Sequence, residues 1–87
     1  MSCAETSEAS LCPGDLLVAH NMMRAWESTD CRGHRGPYIE EGQQCMLLQT
    51  WTVGNQRRLH VLFNDRVLLF SSAEHCLHRN WSVANRG

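Results

Sequence analysis

CMLLQTWTVGNQRRLHVLFNDRVLLF, residues 45–70, is the stretch on which the architecture turns. Its Leu, Val, Phe and Thr runs are strand-prone, and two dipeptides suited to two-residue hairpin turns interrupt them: Gly54-Asn55 and Asn64-Asp65. The pattern predicts a three-stranded β-meander over Cys45–Thr52, Arg57–Phe63 and Arg66–Phe70. So short a meander must curl over its own apolar face to bury enough surface.

Two-residue turns pair position 53 with 56 and position 63 with 66. An uninterrupted ladder then places Met46, Leu48, Leu59, Val61, Phe63, Leu68 and Phe70 on the core face. The opposite face receives Cys45, Leu47, Gln49, Trp51, Arg58, His60, Leu62, Val67 and Leu69. Leu47, Leu62 and Val67 line up there across the strands. That much apolar surface calls for a cover, so these residues are the expected self-association site of a homodimer.

Outward from the meander, Pro13-Gly14-Asp15 is a turn signal leading into Leu16–Ala19, read as a first strand. The same stretch also fits a helix, with Leu16, Ala19, Met23 and Trp26 at helical spacing and Asp15 as its cap. Glu27–Gln44 holds Gly33, Gly36, Pro37 and Gly42 and reads as a long excursion anchored by Tyr38 and Ile39. Ser71-Ser72-Ala73-Glu74 matches a capping box and predicts a helical turn over 72–77, after which Trp81–Ala84 adds a closing strand. The expected organisation is a disordered tail over 1–12, one small barrel domain over 13–84 and a frayed end over 85–87.

In chain order the pieces are PGDLL (13–17), a long loop, GQQCMLLQTW (42–51), LHVLFNDRV (59–67), a helical turn and a closing strand. This resembles the small Src-homology-3-like barrels, of the kind seen in uncharacterised bacteriophage and mobile-element proteins, over about residues 13–84. The resemblance implies a mainly β, five-stranded barrel with one short helical turn before the last strand. The run of Tyr and acidic residues that marks polyproline-binding members is missing from the long loop, although Trp51 and Tyr38 are present.

The chain has 87 residues, enough for one small domain, and a formal charge of −1. Residues 1–44 carry three Arg and seven acids, and residues 45–87 five Arg and two acids, so the two parts are −4 and +3. All eight basic residues are Arg, which favours hydrogen-bonded and stacked contacts over a diffuse cationic coat. No apolar run is long enough to span a bilayer. The odd count of five cysteines, behind a polar, acidic N-terminus, predicts reduced thiols and a cytoplasmic chain with no membrane partner.

The candidate chemistry is sparse. Cys31 and His34, with His75, Cys76 and His78, lack the two matched pairs of a zinc knuckle, so no metal or other cofactor is expected. Cys45 and His60 share a face in the regular ladder, but no third group orients a nucleophile, so the chain is read as a non-enzymatic binding module. A protein is the first expected partner, with Trp26, Tyr38, Trp51, Arg58 and His60 as the binding residues and Trp51 stacked on Arg58. The alternative is a nucleic-acid-binding barrel that contacts phosphate and single strands through Arg57, Arg58, Arg79 and Trp81.

Overall fold

The computed structural model describes residues 11–27 and 35–85. Seven strands form one curled sheet: β1 (Leu16–Ala19), β2 (Met23–Trp26), β3 (Arg35–Ile39), β4 (Gln44–Val53), β5 (Gln56–Phe63), β6 (Arg66–Ala73) and β7 (Trp81–Asn85). A 3-10 turn (Glu74–Cys76) and a one-turn helix, α1 (Leu77–Asn80), lead into β7. The strand order is β3-β2-β6-β5-β4-β1-β7, and every pair is antiparallel.

The expected meander is present with both turns. Val53 pairs with Gln56 and Phe63 with Arg66. Asn64 and Asp65 both take positive φ, at 51° and 64°, as a type I′ turn requires, and Gly54 does so at 63° at the first central position of the other turn. Leu16–Ala19 is a strand, as read, and not a helix.

The sheet has to curl because of its connectivity. β2 and β1 lie four strand spacings apart in the sheet order, about 19 Å if flat. Only His20, Asn21 and Met22 join Ala19 to Met23, a reach of at most about 14 Å. This strap is pinned to the end of α1: the His20 backbone N–H donates to the Asn80 carbonyl at 2.9 Å, and the Asn21 amide donates to Asn80 Oδ1 at 3.0 Å.

Seven strands replace the expected five because β2, just before the excursion read over Glu27–Gln44, forms a hairpin with β3, which lies inside it. Gly36 and Pro37 look like strand breakers in sequence. Here they sit in an edge strand where β3 carries one extra residue relative to β2, and at such a position a missing N–H costs nothing. A Cβ on Gly36 would lie 2.9 Å from Glu27 Cγ and 3.5 Å from Leu68 Cδ2, so the bare backbone lets β3 fold down beside β2. Ala25 and Ile39 then enter the core with no measurable exposure, whereas Tyr38, the other expected anchor, is 51% exposed. A single ladder pair, Trp26 with Leu69, joins this hairpin to β6.

The core holds Leu17, Ile39, Leu47, Leu59, Val61, Phe63, Leu68, Phe70, Leu77 and Trp81, and Leu11 packs at its edge. Met46 and Leu48, expected inside, are exposed, while Cys45 and Leu47, expected outside, are buried. The cause is a β-bulge: Leu47 pairs with Val61 but Gln49 with His60, so Leu48 is an extra residue and alternation inverts on its N-terminal side. The turn before β1 holds that inversion in place, since the Leu47 N–H donates to the Asp15 carbonyl at 2.9 Å and the Gly14 N–H donates to the Leu47 carbonyl at 2.7 Å.

The expected capping box does not form. Ser71 and Ser72 belong to β6, no side chain caps the 3-10 turn, and Glu74 reaches Arg57 instead of its own backbone. The last strand runs one residue further than expected, to Asn85. Expectations for the tail over 1–10 and for 86–87 lie outside the described residues.

Candidate functional site

Strand alternation turns Leu59, Val61 and Phe63 inward, and so presents Arg58, His60 and Leu62 on the outer face of β5. Cross-strand pairing carries that face sideways. One row reads Trp26, Leu69, His60, Gln49 across β2, β6, β5 and β4, and the next reads Ser71, Arg58, Trp51. On the far side, Tyr38 pairs with Arg24 and Arg35 with Trp26. All five expected partner-binding residues, Trp26, Tyr38, Trp51, Arg58 and His60, therefore share one face. Leu69, flanked by Trp26 and His60 in its row, is only 1% exposed although it lies outside the core cluster.

Ring and guanidinium contacts organise this surface. Arg35 lies over Trp26 with 4.1 Å to the ring centroid, and Arg24 over Tyr38 with 5.3 Å. Trp51 was expected to stack on Arg58; it does stand opposite Arg58, but its ring meets His60 edge-on at 5.5 Å. Arg24 Nε also donates to the Gly36 carbonyl at 3.2 Å, and Arg58 Nε is buried with no hydrogen bond in the protein. Sequence reasoning missed Arg24 and Arg35. Met-Arg-Ala-Trp at 23–26 carries the alternation that would have placed Arg24 beside Trp26, had that segment been read as a strand.

The charge pattern is one-sided. No Asp or Glu occupies any of the seven strands, whereas Arg24, Arg35, Arg57, Arg58 and Arg66 do. Arg57 pairs with Glu74 at 2.8 Å and Arg66 pairs with Glu27. Arg24, Arg35 and Arg58, all on the outer face, form no ion pair among the described residues. A guanidinium stacked on a ring is held in plane while its N–H edges stay available to an anion.

The alternative nucleic-acid set does not assemble. Arg57 is tied to Glu74, Arg79 lies on α1, and Trp81 is 2% exposed in the core with its ring against Phe70 at 5.2 Å. Arg58 alone of that set lies on the outer face. The self-association row also changes: buried Leu47 drops out, and Met46 replaces it beside Leu62 and Val67.

The bulge separates Cys45, inside, from His60, outside, so the two do not share a face. Burial pushes the Cys45 thiol up to about 12. Its neutral form contributes stability that is whole below the ordinary thiol value of 9.0 and is lost as pH rises from there towards about 12. Cys31 and His34 lie outside the described residues; His75 and His78 are exposed and Cys76 is half-buried.

Cys12 is disulfide-bonded, against the expectation of reduced thiols, while Cys45 and Cys76 are free. Two results are expected from alkylation with iodoacetamide at neutral pH. In the folded protein Cys76 should react well before Cys45, and after denaturation without reductant three thiols should titrate, five less the bonded two. Five titrating thiols, or equal rates at Cys45 and Cys76, would contradict this.

Among the described residues no helix is long and apolar enough to cross a membrane. No protein-family model, curated protein or solved structure matches this chain.

Proposed function

We propose that this chain is a non-enzymatic binding module whose working surface is the outer face from β3 across to β4. The observation that carries the reading is convergence: aromatic and Arg residues spread from position 24 to 60 meet on one face that has no acid in its strands. Trp, Tyr and Arg dominate binding energy where macromolecules meet, and guanidiniums without an acidic neighbour favour an anionic partner. A protein segment is one candidate, and it would have to bring carboxylates to Arg24, Arg35 and Arg58. A nucleic acid is the second, favoured by the ring planes beside those cations. Isotope-labelled protein titrated separately with a short polyglutamate peptide and with oligothymidylate should show amide shifts around Trp26, His60 and Trp51 for at least one of them. Shifts confined to β1 and β7, or none with either probe, would remove this face as the site.

We propose further that the sheet is a Src-homology-3-like variant. Support comes from the order of β1, the β4–β6 meander, the 3-10 turn and β7, with the β2–β3 hairpin filling the long first loop.

We also propose self-association through the apolar end of the same face. Met46, Leu62 and Val67 are 43%, 38% and 54% exposed and form one cross-strand row. Burying such side chains contributes roughly 1.5–3 kcal/mol each before association costs, enough for a weak dimer. The double change Leu62→Glu with Val67→Lys should give a folded monomer in sedimentation analysis. A wild-type chain already monomeric at high concentration would end the proposal.

A further inference from the structure

We infer that the outer face takes a single-stranded nucleic acid, an inference that rests on the reading of this face as the working surface. A nucleotide brings a phosphate and a flat π face in one unit, and this face offers both complements in alternation. Arg35 is stacked with Trp26 and Arg24 with Tyr38, and Arg58 stands beside Trp51. An acidic peptide would satisfy the guanidiniums but give the rings nothing to stack on, and Tyr38 is half exposed.

Spacing and shape agree with a single strand. Trp26 and His60 are two strands apart, about 10 Å by strand spacing, and the His60 and Trp51 rings are 5.5 Å apart. Successive bases of an extended strand can therefore reach successive rings. The outer side of a curled sheet is convex and leaves the bases of a strand lying across it open to those rings. Reading a duplex would instead need a helix or a ribbon to enter a groove. The paired Arg57 and Arg66 are not needed, and the described acids, Asp15, Glu27, Glu40, Glu41, Asp65 and Glu74, all lie outside the strands that form the face.

The test is fluorescence anisotropy with labelled oligothymidylate, with the matching duplex and a polyglutamate peptide as competitors. The single strand should bind. Three Arg should give a slope of log affinity against log salt of about −2, since each phosphate contact on a single strand contributes about −0.7. The double change Arg24→Ala with Arg35→Ala should lower affinity at least about tenfold, and Tyr38→Ala at least about fivefold, the lower end of what one stacked base contributes. Both changes fall at exposed positions, so the variants should fold, which circular dichroism checks. Arg79→Ala, on α1, should leave affinity within about twofold, the usual scale for a surface change away from the site.

Polyglutamate binding at these amides without oligothymidylate binding would overturn the nucleic-acid inference and leave the binding face standing, with an acidic protein segment as partner. Failure of both probes would overturn the inference and the binding face together. A duplex bound as tightly as the single strand, or Arg79→Ala as costly as the double change, would reduce the effect to diffuse charge and also overturn the inference.

Discussion

Leu47→Asp is expected to unfold the protein, whereas Met46→Asp, one residue away, is expected to leave it folded. Leu47 has no exposed surface and Met46 is 43% exposed, on opposite sides of β4. Truncating a buried Leu costs about 2–5 kcal/mol, and burying an unpaired carboxylate adds several more. A small domain has about 5–15 kcal/mol in all, so the first substitution consumes most or all of it. The second places its charge in water. Thermal melts followed by circular dichroism separate the two, and the opposite ranking would mean that β4 carries no bulge. The same pair tests self-association, because Met46→Asp should also weaken any dimer.

Trp81→Ala is expected to destabilise the fold by about 3–5 kcal/mol, and Trp81→Phe by much less. Trp81 is 2% exposed, opens β7 beside Ala19 of β1, and sets its ring edge-on against Phe70. Alanine would leave a cavity under both strands. Phenylalanine keeps most of the ring and loses no hydrogen bond, since Trp81 Nε1 makes none in the protein. Chemical denaturation would give both values. If the alanine variant kept full stability but lost ligand binding, Trp81 would be a stacking residue and not a core residue.

The parts of the fold legible in sequence are those governed by neighbours in the chain. The two turns needed only their own dipeptides, and Leu59, Val61, Phe63, Leu68 and Phe70 followed from counting outward from them. Past Gln49 the count failed, because the bulge at Leu48 is held by Gly14 and Asp15, more than thirty positions upstream. The β2–β3 hairpin was hidden by Gly36 and Pro37, whose meaning changes once they lie at a sheet edge beside Glu27 and Leu68. The candidate site shows the same division. Trp26, Tyr38, Trp51, Arg58 and His60 stood out by residue type, and the hairpin brings them together. Arg24 and Arg35 drew no notice, since their place beside the rings exists only after that hairpin has formed.

The single ladder pair between Trp26 and Leu69 makes the outer face a composite of two bodies. Tyr38, Arg24, Arg35 and Trp26 travel with the hairpin, while His60, Trp51 and Arg58 stay with the meander. Any loosening of the hairpin would divide the site, since apparent affinity scales with the fraction of molecules that hold both halves together. A ligand lying across both bodies would act as a clasp, raising the docked population by its own binding. Recognition and the cohesion of the sheet would then be two readings of one equilibrium, with its pivot at Leu69.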